Sequence, residues 1–168
     1  FNKGLAQNYL DGAFIGKGRH YRLVCGDSAE PKQSTVAILR AIGKADCIVP
    51  YYRSNTGRST TRSLISTAYT YIVNKITGNH LKYYNGLAVH LRHNVMRWHT
   101  NTRGFGFQAE ILCLLLDLGF TYVEVPVEVP PVAFARQDRK SSAINARNFL
   151  SVTHTIMEIM NRRISRFF

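Results

Sequence analysis

A chain of 168 residues with 45% hydrophobic content can bury a real core in one domain, and no low-complexity tract argues for disorder. No apolar run approaches the roughly eighteen residues of a membrane span. Cys25, Cys47 and Cys113 lie in apolar segments without a Cys-x-x-Cys pair, which points to core thiols in a reducing compartment and away from disulfide or zinc scaffolds. The net charge of +12 implies anionic company: nucleic acid, phosphorylated substrates or an acidic membrane surface.

In chain order, residues 3–15 place Leu5, Ala6, Tyr9, Leu10, Ala13 and Phe14 on one helical stripe, stopped by Gly16 and Gly18. Tyr21–Cys25 reads as a short buried strand that ends at Gly26. A helix is expected from about Lys32 to Ile42, with Pro31 in its first turn, Val36, Ile38, Leu39 and Ile42 on its apolar side, and Gly43 as its stop. Asp46–Pro50 reads as a second buried strand. This order implies parallel crossovers.

Tyr51–Ser59 is polar and reads as a loop. From Thr60, Leu64, Ile65, Ala68, Tyr69, Ile72, Val73 and Ile76 recur at helical spacing, and Gly78-Asn79 ends the run. Tyr83–Leu91 is expected as a strand with a turn or bulge at Asn85-Gly86. Phe107–Leu118 is a strongly apolar helix closed by Gly119. Val123, Val125, Val127 and Val129 then alternate through a strand that Pro126 consigns to an edge or a bulge. After Pro130-Pro131 a basic loop runs to Ser142, and a last helix from Ala143 to about Arg163 carries Phe149, Val152, Ile156 and Met160 on one side. The expectation is one α/β domain, its sheet mostly parallel and flanked by helices.

Asp27 and Glu30 fall beyond the carboxyl end of the first strand, where open α/β sheets collect ligands. Carboxylates there suit Mg²⁺ or Mn²⁺. An Asp-Ser turn capping the next helix is the plainer alternative. His90, His93 and His99 lack metal-ligand spacing and read as structural or surface side chains.

Four separated stretches, and the loop that follows the last of them, resemble family 2 glycosyltransferases. NKGLAQNYLDGAFIGKG (2–18) is similar to the helix before that family's metal loop, and LVCGDSAEP (23–31) falls at its Asp-x-Asp loop. ADCIVPYYRSNTGRSTTR (45–62) resembles its ADIV-G-R strand and basic loop, and GFGFQAEILCLLLDLGFTYVEVPVEV (104–129) its glutamate-to-EVP block. AFARQDRKSSA (133–143) is similar to its R–G–SK element. The resemblance points towards the polyprenyl-phosphate sugar synthases and implies an incomplete GT-A fold, residues 1–142 being the carboxyl-terminal two-thirds of the catalytic domain. The start at Phe1 and the lack of the family's first strands fit a fragment.

The resemblance also implies roles. Asp27 matches the second aspartate of the metal motif, Cys25 replaces the first, and Glu30 is the candidate second ligand of a Mg²⁺ or Mn²⁺ ion that would neutralise the leaving diphosphate. Glu110 would orient the sugar or acceptor; a carboxylate that merely stabilises its helix's amino end is the alternative. Arg53 and Arg58 on one loop, and Arg136, Arg139, Lys140 and Ser141 on the other, would grip the diphosphate and the lipid phosphate. Arg139 stands where the family has glycine, Ser142 where it has lysine, and no aspartate matches its D–G-R segment near Asn85-Gly86.

The implied partners are a nucleotide-sugar of the GDP-mannose or UDP-glucose type, a polyprenyl-phosphate acceptor and a membrane surface, at the cytoplasmic face. The basic helix of residues 143–168 suits a membrane interface; packing on the sheet is its alternative. A rival reading, resting on charge alone, is a non-catalytic basic domain that binds nucleic acid or anionic lipid. No RNA-recognition, zinc-finger or helix-turn-helix pattern supports the nucleic-acid form.

Overall fold

The computed structural model describes residues 3–26, 30–53, 60–99, 106–128 and 146–165. They form helices α1 (Leu5–Ile15), α2 (Lys32–Arg40), α3 (Thr60–Thr77), α4 (Arg92–Met96), α5 (Phe107–Asp117) and α6 (Ala146–Ile164), and strands β1 (His20–Arg22), β2 (Cys47–Tyr52), β3 (Val89–Leu91) and β4 (Tyr122–Val127). The sheet order is β1-β3-β2-β4.

The sheet is mixed, which corrects the mostly parallel expectation. β3 runs antiparallel to both β1 and β2, and only β2 and β4 pair in parallel. β1 and β2 do run in one direction, as their crossover requires, but β3 is inserted between them. Period-2 patterning shows that a strand exists and which face is buried; it does not show which neighbour it pairs with.

Two apolar clusters lie on opposite faces of the sheet. On one, Ile38 and Ala41 of α2 meet Ile48, Val89, Val125 and Val127. On the other, α1, α3, α5 and α6 cover Cys47 and Val49 through a larger core that includes Tyr9, Tyr69, Trp98, Phe107, Leu112 and Ile159. Within α1, Ala6, Tyr9, Leu10 and Ala13 are buried as their spacing predicts, while Phe14 is exposed. Helix α2 turns Ser34 and Ile38 inward and leaves Leu39 outside, a rotation away from the predicted stripe. The helical stops at Gly78 and Gly119 are confirmed by left-handed backbone there, φ 73° and 85°.

Strand β2 outruns its prediction, continuing through Tyr51 and Tyr52. In the β2–β4 ladder Thr121 O accepts from Cys47 N and Val127 O from Arg53 N, so odd-numbered backbone groups face between the strands. Pro50 therefore turns its nitrogen towards β3, whose pairing with β2 has ended at Ile48. Pro126 turns its nitrogen outward from the sheet's edge, where the sequence places it. Strand β3 is shorter than predicted because the chain from Tyr83 to Ala88 is irregular; Gly86 passes so close to Pro50 that a Cβ would sit 3.1 Å from Pro50 Cγ. Helix α4, unanticipated, buries Val95, with Trp98 just beyond it.

Candidate functional site

Strands β1, β2 and β4 share one direction, so their carboxyl ends lie at the same end of the sheet. The chain leaves that end at Arg22 towards Asp27 and Glu30, at Tyr52 towards Arg53 and Arg58, and at Val127 towards Arg136, Arg139, Lys140 and Ser141. Each predicted site segment except that of Glu110 thus follows one of three codirectional strands. Asp27, Arg58, Arg136, Arg139, Lys140 and Ser141 themselves lie outside the described residues.

Arg53 is exposed beside Tyr52, and its backbone N–H donates to Val127 O, 3.1 Å. Its side chain is placed to face solvent at the carboxyl end of β2.

Glu30 is engaged by its own chain. Arg22 Nη1 donates to Glu30 Oε1 at 2.9 Å, Arg22 Nη2 pairs with Oε2, and the Thr35 hydroxyl donates to Oε1 at 2.6 Å. Burial works to raise this carboxyl's pKa, but the Arg22 and Thr35 hydrogen bonds and the Arg22 charge outweigh it and hold it below the usual range. Arg22 in turn is anchored by Nε donating to Leu87 O, 2.9 Å. A carboxylate in this state is a poor fit for the second metal ligand, because a cation would have to displace a guanidinium. Among the described residues no cluster of three or more His, Cys, Asp or Glu is arranged to hold a metal ion.

Glu110, in the first turn of α5, is fully buried. Arg162 of α6 places Nη2 3.2 Å from Glu110 Oε1 and Nη1 3.3 Å from the Glu110 carbonyl oxygen. Glu110 Oε2 has no hydrogen-bond partner among the described residues, nor do the polar side-chain atoms of Gln108. The amino end of α5 is pressed against α6, since a Cβ on Gly106 would fall 2.7 Å from Thr155 Cβ. That fit requires glycine at 106. Glu110 is thus separate in environment from the solvent-facing Arg53.

Helix α6 belongs to the same core as the rest of the chain. Thr155 and Ile159 are buried, and Arg163 pairs with Asp117 at 3.3 Å and donates to the carbonyl oxygens of Ile76 and Thr77 at the end of α3. Its outer side leaves Leu150, Met157, Met160 and Ile164 exposed.

The sequence reading missed the internal role of the arginines. Arg92 donates to Gly18 O (2.8 Å) and Ala13 O (3.0 Å), tying α4 to α1, as Arg22, Arg162 and Arg163 tie their own elements. A signal existed for Arg22: a cation within an apolar strand needs a nearby carboxylate, and Glu30 is eight residues on. Of the thiols, Cys47 and Cys113 are buried and Cys25 is exposed, against expectation, because β1 ends three residues before it. His90 is buried, whereas His93 and His99 are exposed.

No family model matches this chain, and no curated protein matches it either. Among the described residues no helix is long and apolar enough to cross a membrane.

Proposed function

We propose that this chain is part of the catalytic domain of a family 2 glycosyltransferase that moves a hexose from a nucleotide-sugar to a polyprenyl phosphate or similar acceptor. The observation that supports the reading is the shared direction of β1, β2 and β4, each of which is followed in sequence by the acidic turn or one of the two basic segments. The mixed α/β sheet with helices on both faces is compatible with an incomplete GT-A fold.

In this reading Arg53 and Arg58, with Arg136, Arg139, Lys140 and Ser141, hold the diphosphate and the acceptor phosphate through charge-assisted hydrogen bonds. Asp27 is the carboxylate for a Mg²⁺ or Mn²⁺ ion, which when bound would neutralise charge on the leaving diphosphate. Glu30 serves instead to fix Arg22 and the start of α2. Glu110, fully buried and held by Arg162, joins α5 to α6 in this reading and does not itself meet the sugar or acceptor. The exposed apolar side of α6 would lie against the cytoplasmic membrane surface where a lipid phosphate is met.

The test is sugar transfer by the protein that contains this chain, with GDP-mannose or UDP-glucose, Mn²⁺ and a polyprenyl phosphate. Asp27→Asn and Arg136→Ala are each expected to lower turnover at least about a hundredfold. Unchanged turnover in both variants overturns the site, and no transfer with any donor overturns the activity. The rival polyanion-binding reading has the +12 charge in its favour, but Arg22, Arg92, Arg162 and Arg163 direct their donors inward. Steep salt dependence of nucleic-acid binding, without nucleotide-sugar binding, would restore it.

A further inference from the structure

A cleft opens at the amino ends of β1, β2 and β4. Arg19 and His20 line it where β1 begins, residues 43–46 on the way from α2 into β2, and Thr121 just before β4. The ladder itself gathers these segments, since β3 pairs His20 through Leu91 on one side and Cys47 through His90 on the other, and Cys47 pairs with Tyr122. The cavity has a volume of about 290 Å³, at the lower limit of small-molecule sites, which run from about 300 Å³ upward.

The positive charge here is unspent. Arg22, Arg92, Arg162 and Arg163 each give their guanidinium to an internal oxygen. Arg19 and Lys44, both exposed, form no ion pair and no side-chain hydrogen bond among the described residues. Nor is the Lys44 side chain needed to close α2. At that end the Ile38, Leu39 and Ala41 carbonyl oxygens already accept from the Ala41, Ile42 and Lys44 N–H groups. Gly43, with φ 91°, makes the turn that follows, and the Gly43 and Ala45 N–H groups donate to no backbone oxygen among the described residues. Turns of this kind present free N–H groups to anions. The one carboxylate in the described lining, Asp46, is committed to Thr121: Oδ2 accepts from the Thr121 hydroxyl at 2.6 Å and from its N–H at 2.8 Å. Two cations and one carboxylate leave the described lining net positive with His20 neutral.

We infer that this cleft binds the phosphate group of a small anion, as free phosphate or as the end of a small organic ester. Arg19 grips phosphate oxygens through its fork, Lys44 supplies a point charge, and the Gly43 and Ala45 N–H groups add backbone donors. Leu91 and Ala45 offer apolar surface to the organic part of an ester. A neutral ligand would leave both cations unpaired, and a metal cation would meet two like charges. The inference does not rest on the transferase reading: the cleft lies at the amino ends of β1, β2 and β4, whereas the segments assigned to transfer follow their carboxyl ends.

The test is a titration of the full chain, followed by NMR of its backbone amides, with inorganic phosphate and with glycerol 3-phosphate separately, and with sodium chloride at equal ionic strength as counter-probe. At least one of the two phosphates is expected to shift the Gly43, Lys44 and Ala45 amide signals saturably, where chloride does not. Equal affinities assign the cleft to the phosphate group alone, and tighter binding of the ester shows that its organic part is also held. Arg19→Ala and Lys44→Ala should each weaken binding about tenfold, the loss of one charge-assisted contact. Asp46→Asn, which removes the opposing charge, should tighten it severalfold. Lys32→Ala, the same charge lost at the start of α2, should leave the affinity unchanged, and far-UV circular dichroism checks that each variant is folded. Absence of saturable shifts at these three amides with both phosphates overturns the inference. So does an equal response to chloride, or an affinity indifferent to both Arg19→Ala and Lys44→Ala.

Discussion

Arg162 joins two helices through one residue: it meets Glu110 at both the side-chain and the backbone oxygen, 3.2 and 3.3 Å away. Glu110 is wholly buried, so removal of the guanidinium strands a charge where water does not reach. Arg162→Met is expected to cost about 3–5 kcal/mol, read as a lower urea midpoint at unchanged slope. Glu110→Leu/Arg162→Leu should recover most of that loss, because no charge is then left alone. A cost below about 1 kcal/mol for Arg162→Met would show that the pair is not formed in solution.

The Arg22–Glu30 pair distinguishes a structural carboxylate from a metal ligand. Arg22's side chain is 9% exposed and Glu30's 28%, so the pair is only partly screened by solvent. Glu30→Ala is expected to cost about 2 kcal/mol, less than a fully buried pair, and to lower the melting temperature by several degrees. Mn²⁺ affinity, followed by electron paramagnetic resonance, should not change. Lost Mn²⁺ binding at unchanged melting temperature would return Glu30 to the metal.

His90 makes stability depend on pH. It sits mid-strand in β3 between Tyr21 of β1 and Cys47 of β2, with neither ring nitrogen hydrogen-bonded among the described residues. Burial pushes its pKa down from 6.5 to about 4. Between those values the unfolded chain binds the proton that the folded chain refuses, so stability rises with pH across this window and is lost as pH falls through it. The span corresponds to about 3 kcal/mol. Glu30, whose folded pKa is depressed, acts in the same sense but below its ordinary value of 4.5. His90→Leu should therefore flatten the melting-temperature profile between pH 6.5 and 4.5 while leaving the acid limb below it. An unaltered profile would assign the slope to other groups.

Much of the fold was legible because punctuation and period are local. Gly78 and Gly119 stop their helices, the stripe of α1 is buried as spaced, and Pro126 marks an edge. What failed was non-local. Nothing within residues 83–91 tells β3 to enter between β1 and β2, and the predicted apolar stripe of α3 is wider than its core face, which buries Tyr69 and Val73 and leaves Leu64, Ile65 and Ile72 exposed. The candidate site was legible as segments, since each basic or acidic run follows a strand end. The engagement of Glu30 by Arg22 was not foreseen, because a partnership between a strand and the turn after it carries no periodic signature.

The outward nitrogen of Pro126 has a consequence for how molecules of this protein meet. A flank that misses one of its donors midway cannot template a visiting strand along its length, so β4 is protected from chain-to-chain ladder growth. Among the described residues the opposite flank, three-residue β1, contains no proline. Among the described strands, a strand that joins this sheet is therefore favoured on the β1 side over the β4 side.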